Sequence, residues 1–296
     1  METAIGAPFR PQVSVPRKMW RMLRVSKTGL LGVGLILAVT VAALFSPFVS
    51  PHDPLEQNIA NRLAPPAWES GNWEHILGTD ALGRDLLSRI IYGSRVSLLI
   101  GVSVTLMAGT LGVILGLVAG YFGGVWDTII MRLADVRLAI PGMVLALVTL
   151  AVFGPGLRNV VIMLGLTGWV GYARIVRGQV LSTREMEFVD AARAVGSGHV
   201  RILFLHILPN VIASVVVVAT LRVASTILVE ASLSFLGLGV QPPTPTWGGM
   251  VADGLDLIYR AWWLSAFPGA AIFVTVLGMN LLGDWLRDAL DPRLRV

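Results

Sequence analysis

The sequence predicts an all-α polytopic membrane protein with six transmembrane helices, and three observations carry that prediction. The 296 residues are 55% hydrophobic and 14% charged, with a mean hydropathy of +0.74, more apolar than a soluble domain requires. The apolar residues come in uncharged runs of bilayer-spanning length, and only helices let such runs satisfy every backbone polar group in lipid. The basic residues gather at the edges of these runs, at 10–27, 174–201 and 287–295, a pattern that sets orientation and does not point to nucleic acid. With no cysteines, neither a disulfide nor a redox compartment can be read. Glycine is abundant at 32 residues, which suits close helix packing in a membrane.

The chain divides into three parts. Residues 1–28 form a cytoplasmic N-terminal segment, because Arg10, Arg17, Lys18, Arg21, Arg24 and Lys27 face only Glu2. The second part, residues 29–95, opens with a first span, Gly29 to Val49, too long for a signal-peptide core. An external loop from Pro51 to Arg95 follows, with Trp68 and Trp73 at headgroup depth. In its HILGTDALGRDLLSRIIYGSR segment, Thr79 or Asp80 is the expected cap of an interfacial helix with Leu86, Leu87, Ile90 and Ile91 on one face. The third part, residues 96–296, is the transmembrane core. Its first span, Val96 to Ala119, carries Gly112, Gly116 and Gly120 as a smooth stripe for another helix. A turn at Tyr121 to Trp126 leads to a third span, Asp127 to Phe153. Arg132, Asp135 and Arg137 lie at its cytoplasmic end, and a kink is expected at Pro141.

Gly154 to Leu157 turns the chain outside, and the fourth span, Asn159 to Val176, returns it to the cytoplasm at Arg174, Arg177 and Arg184. The fifth span runs from Asn210 to Leu236 and contains Arg222 and Glu230, about 12 Å apart along the axis and too far to pair. Charges inside a membrane mark a pathway or an interface, and burial against a neighbouring subunit is an equal reading. Gly237, Gly239, Pro242, Pro243 and Pro245 then impose an irregular outer loop returning through Tyr259, Trp262 and Trp263. The sixth span, Ala261 to Trp285, ends in a cytoplasmic tail with Arg287, Arg293 and Arg295.

Between the fourth and fifth spans lies the polar stretch 184–210. Glu185, Glu187, Asp190, Arg193 and Arg201 mark its wet face, while Phe188, Val189, Ala191, Ala192, Val195 and Val200 give apolar contacts at helical spacing. Gly196 and Gly198 divide it into helix, bend and helix, the second merging into the next span at Pro209.

At these residues the sequence resembles the EAA loop of membrane subunits of ATP-binding-cassette (ABC) importers. Asp190, Ala191, Ala192, Gly196, Leu208 and Pro209 fall on that pattern, with Asp190 in place of the usual Glu. His206 stands where an aliphatic residue is general, which resembles the dipeptide, oligopeptide and nickel branch. Gly78, Thr79, Asp80, Gly83, Arg84 and Asp85 resemble that branch's G-T-D-x-x-G-R-D signature, as do the stretches 230–250 and 280–295. For each residue of the signature, a capped helix with no substrate role is the plainer reading. The resemblance implies a type I importer permease fold in a bacterial inner membrane, forming half of a pore for peptides or a related small solute. It implies coupling to an ATPase through Glu187, Asp190, Ala191, Ala192, Arg193, Gly196, His206 and Pro209. Apart from the resemblance, the intramembrane charges Arg222 and Glu230 and the smooth stripe at Gly112 and Gly116 are the candidates for a pore or partner-permease interface. The implied partners are a second, different permease chain, two cytoplasmic ATPases that bind ATP and Mg, and an extracytoplasmic substrate-binding protein.

No cofactor is expected in this chain, since it carries no G-x-x-x-x-G-K-[ST] loop. No enzymatic constellation is expected either. His52, His75, His199 and His206 are spread over inner and outer loops, so no metal site is expected. An ion-gradient-driven secondary transporter is the competing class, and a membrane scaffold a third. Only Arg222 and Glu230 speak for the former. Dependence of uptake on ATP and on a separate ATPase distinguishes the three.

Overall fold

The computed structural model describes residues 15–290, so Arg10, Arg293 and Arg295 lie outside the described residues. Helix α1 (Val15–Val25) leads into α2 (Lys27–Leu44), whose N-cap Ser26 accepts a hydrogen bond from the Gly29 amide. After a loop, α3 (Leu86–Phe122) runs for 37 residues, about 55 Å at helical rise and far longer than a bilayer core of about 30 Å. The expected interfacial helix and the second span are thus one helix. Its cap is Asp85, which accepts from the Ser88 amide at 2.8 Å, and not Thr79 or Asp80. The helix is unbroken between Ile91 and Val96, and at Gly93 the missing side chain makes room for the Trp247 indole.

The glycine stripe of α3 packs on α7 (Trp169–Thr183), the second half of a span that begins with α6 (Leu157–Thr167). A Cβ on Gly112 would collide with the Tyr172 Cβ, one on Gly116 would lie 2.7 Å from the Ala173 carbonyl oxygen, and one on Gly120 2.7 Å from the Val180 Cβ. Gly112 and Gly116, expected at the pore or at a partner permease, are therefore covered by a helix of the same chain. Sequence alone does not reveal this, because a smooth stripe does not say which helix fills it. Residue numbers rise together along both helices, so α3 and α7 are parallel, and the chain between them must cross back.

That return is a broken crossing. α4 (Gly124–Ala139) and α5 (Gly142–Phe153) meet at 84°, where the sequence predicts one kinked span. Pro141 has no amide to donate and drives Ile140 out of the helical region, to φ −98°, ψ 122°. The span resumes only after it. Two ion pairs lash α4 to α7, with Arg177 Nη2 on Asp127 Oδ2 at 2.6 Å and Arg174 Nη2 on Asp135 Oδ1 at 2.5 Å.

α8 (Glu187–Ala194) and the turn His199–Arg201 form a hairpin outside the bundle, which returns through Ile202–Ile207 into α9 (Leu208–Phe235). α10 (Trp247–Leu255) then sits in the segment expected to be irregular, capped by the Thr246 hydroxyl, which accepts from the Gly249 amide at 3.1 Å. The prolines forbid a helix only as far as Pro245. Helix α11 (Trp263–Leu290) closes the bundle against α2, in antiparallel contact from Gly29 on Trp285 to Gly278 on Leu35. The Trp263 indole donates to the Thr79 carbonyl at 3.2 Å, which puts the start of α11 beside residues 51–85, at what is here the loop end. The opposite, hairpin end holds 184–201 together with the start of α2 and the end of α11. Both described chain ends thus share one face, the number of crossings is even, and the bent pair supplies the sixth span.

Candidate functional site

The hairpin is held by a small number of contacts. Val189 is fully buried in a cluster with Tyr121, Val180, Ile202 and Ile207, and half-buried Ala192 packs on the same cluster. Ala191 and Ala192, both expected to couple to an ATPase, part here: Ala191 is exposed, whereas Ala192 turns toward its own chain. Gly196 takes φ +83°, a left-handed conformation costly for a residue with a Cβ, and so ends α8 and redirects the chain. The Ser197 amide donates to the Ala192 carbonyl at 3.0 Å across this bend. Tyr121 at the foot of α3 braces the second limb through a 2.9 Å hydrogen bond between its hydroxyl and His199 Nδ1. Arg184 donates to the Gly120 carbonyl at 2.9 Å, and the Arg193 guanidinium lies 5.8 Å from the centre of the Tyr121 ring. Glu187 and Asp190 face solvent, the latter paired to Arg193 at 3.0 Å. Val195 and Val200 are 87% and 69% exposed, so apolar surface projects from the hairpin with none of the described residues over it.

Between hairpin and span, Ile202–Ile207 forms a π-helical turn, and the Leu208 amide donates to the Leu203 carbonyl five residues back. Pro209 explains the wider turn: its ring excludes the carbonyl four residues earlier, and it has no amide to bond there. His206 is half-buried, and its carbonyl accepts from Asn210 Nδ2 at 2.7 Å.

Within the bundle, a cavity of about 260 Å³ opens among α3, α7 and α9, lined in part by Thr105, Arg137, Tyr172, Arg222 and Thr226. The Thr105 and Tyr172 hydroxyls are buried there beside each other, and Arg137 Nε is buried without a hydrogen-bond partner, a costly state inside a membrane protein. Arg222 lies across Gly171, where a Cβ would collide with its Nη2. Glu230 is buried apart from the cavity, with the Ser234 hydroxyl donating to Oε1 at 2.6 Å and Oε2 unpartnered. As the spacing requires, Arg222 and Glu230 do not pair. Sequence alone places Arg137 at a helix end and gives no role to Thr105 or Tyr172. A tyrosine inside an apolar run is the available signal.

At the loop end, the G-T-D-x-x-G-R-D segment folds as a polar knot. Asp80 accepts from the Leu82 and Arg84 amides at 2.8 and 2.9 Å and from Arg84 Nε at 2.7 Å, and it also pairs with buried Arg89. Gly78 and Gly83 adopt φ +83° and +73°, and a Cβ on either would strike the backbone of the preceding loop. Beside the knot, His52 and His75 come together, with ring centroids 4.7 Å apart. His199 and His206 lie at the hairpin end.

A helical bundle with a broken crossing, a polar cavity inside it and a hairpin carried beyond it has the architecture of a membrane transport subunit. Comparison with known proteins specifies the kind. Residues 112–296 match the family model described as the binding-protein-dependent transport system inner membrane component, and residues 14–66 match the N-terminal TM domain of oligopeptide transport permease C. The di/tripeptide transport system permease protein DppC of Pseudomonas aeruginosa (strain UCBPP-PA14) is 46% identical over 280 residues, covering 94% of this chain and 92% of that protein. The dipeptide transport system permease protein DppC of Escherichia coli (strain K12) is 46% identical, over 94% of this chain and 93% of its own length. The Haemophilus influenzae (strain KW20 / Rd) dipeptide permease DppC is 40% identical over 97% of both chains. Among solved structures, the MetNI methionine ABC transporter in inward facing conformations aligns with a TM-score of 0.55 at 17% identity, over 69% of this chain and 96% of that one. This last likeness concerns the fold alone. The chain belongs to the binding-protein-dependent permease family: it is a multi-pass permease subunit of an ABC importer of the bacterial inner membrane. It is not itself an enzyme, and it works with ATPase and substrate-binding partners.

Proposed function

We propose that the chain forms half of a pore that imports dipeptides or tripeptides, paired with a second, different permease chain. The observation that carries this is the near-full-length match, at 46% identity, to permeases named for those substrates. The cavity supports it. A short peptide brings a carboxylate and several amide groups, and the cavity offers the guanidinium groups of Arg137 and Arg222 together with the buried hydroxyls of Thr105 and Tyr172. Each unsatisfied buried group costs about 1–3 kcal/mol, which a passing peptide offsets by hydrogen bonding.

In this reading the hairpin end faces the cytoplasm, so both described chain ends lie there. The basic residues Arg174, Arg177, Arg184, Arg193 and Arg201 gather at that end, as the positive-inside rule requires. Two ATPases bind ATP and Mg, and one of them receives α8. Glu187, Asp190 and Ala191 present the exposed face, while Ala192, Gly196, His206 and Pro209 fix the hairpin's shape. ATP-driven closure of the ATPases moves α8, and the π turn and α9 pass the motion to the cavity wall at Arg222. The substrate-binding protein docks at the loop end.

The test is reconstitution of the chain with its partner permease, ATPases and binding protein in proteoliposomes, followed by uptake of a labelled dipeptide. Uptake should require ATP and the binding protein, and unlabelled tripeptide should compete with it. Uptake driven by an ion gradient without ATP would sink the proposal, as would ATP-driven uptake of another solute that peptides do not inhibit.

A further inference from the structure

Three groups that ordinarily ligate metals converge at the loop end, from parts of the chain far apart in sequence. His52 follows the first span, His75 lies in the loop, and Asp85 caps α3. One ligand atom from each lies within 4.8 Å of the others. His75 Nδ1 is 3.0 Å and His52 Nδ1 3.7 Å from Asp85 Oδ1. Two ligand atoms on a tetrahedral zinc, each about 2.0–2.1 Å from the metal, stand about 3.3 Å apart. The two observed separations bracket that value.

The surroundings are ordered for ligation. The Asp85 side chain is 1% exposed. Its Oδ2 is committed to the Ser88 amide, which leaves Oδ1 turned toward both rings. The His52 backbone amide donates to the Ser88 hydroxyl at 3.0 Å and holds its ring over the same spot. His52 Nδ1 is buried and has no hydrogen-bond partner, although it points at a carboxylate. A hydrogen bond between His75 and Asp85 leaves His52 Nδ1 unsatisfied. On the far side of His75, the Asn61 amide stands 3.4 Å from Nε2. Turned one way, this amide donates to Nε2, and His75 Nδ1–H binds Asp85. Turned the other way, its oxygen accepts Nε2–H and leaves Nδ1 bare, which is the tautomer that ligates.

We propose that His52 Nδ1, His75 Nδ1 and Asp85 Oδ1 form a zinc site with a fourth, exchangeable position. Two imidazoles and one carboxylate suit Zn²⁺ better than Mg²⁺ or Ca²⁺, which take oxygen ligands. The bound ion clasps the loop of residues 51–85 to the head of α3. This assignment does not depend on the transported solute.

The experiment uses the assembled transporter, purified through a tag without histidine, stripped with a chelator and titrated with Zn²⁺ alone. One zinc per copy of this chain is expected, and Co²⁺ in its place should give the visible bands of a four-coordinate site. His52→Gln should lower the affinity at least about tenfold, and Asn61→Ala, which touches no metal, by about 10-fold. Because the His52 ring makes no hydrogen bond, His52→Gln should melt like the wild type in chelator, while zinc should raise the melting temperature of the wild type only. Equal zinc uptake by wild type and His52→Gln would overturn the site, as would zinc that follows substitution of His199 and His206 instead.

Discussion

Gly116 tests the packing that aims the hairpin. A methyl group at this position meets the Ala173 carbonyl oxygen and the Val176 Cβ, both at 2.7 Å, whereas packed atoms need about 3.5 Å. Neither neighbour can swing aside, because one is backbone and the other a branched carbon on a helix. α7 must therefore retreat by roughly 0.8 Å, and a gap of that size forfeits about a quarter to a half of the dispersion energy along the seam. Gly112 and Gly120 have no more clearance, so one added methyl loosens three turns. Gly116→Ala should cost about 2 kcal/mol, within the usual range of about 1–3 kcal/mol for overpacking, and Gly116→Val more. Gly178, on the facing helix α7, is the control, because a Cβ there would have no atom within 4 Å. Its change to alanine should be neutral or stabilising by up to about 1 kcal/mol. The assay is reversible unfolding by SDS in mixed micelles, followed by tryptophan fluorescence. A loss below about 0.5 kcal/mol for Gly116→Ala, or equal effects at 116 and 178, would refute the argument.

Asp80→Ala should cost about 3–5 kcal/mol in the same assay, because it strands buried Arg89; the double variant Asp80→Ala with Arg89→Met should recover part of that loss. Ala191→Glu should weaken ATPase co-purification by roughly 30- to 1,000-fold, equivalent to about 2–4 kcal/mol at an interface centre, without changing the stability of the isolated chain. Ala192→Glu should instead lower that stability, since it forces a charge onto the Val189 cluster; the reverse pattern would exchange the two faces. Arg222→Leu should abolish or slow ATP-driven peptide uptake with normal assembly, and uptake at the wild-type rate would remove Arg222 from the path.

Long apolar runs, basic edges and glycine spacing make the six crossings legible, because each reflects one segment's own dealings with lipid or water. What depends on a second segment is not legible. Asp80 and Thr79 look like helix caps, yet the fold uses Asp80 to bind two arginines and leaves the cap to Asp85. Pro141 announces a kink, while the size of the bend, 84°, is not written in that one residue. The split between Ala191 and Ala192 is hidden by their identical chemistry. The π turn at 202–207 shifts the helical phase between hairpin and span, so a single 3.6-residue period across 199–235 misassigns faces on one side of it. His52 and His75, 23 positions apart, meet only once the loop closes around Asp85.

The even number of crossings has a practical side. A reporter protein fused to the start of α2 and one fused beyond α11 sample the same compartment, so the two readings must agree, and an inverted chain would flip both together. An insertion at 154–156, or in the proline stretch before Trp247, samples the opposite compartment. One enzyme tag active only in an oxidising space, placed in turn at each of those positions, therefore maps the whole molecule.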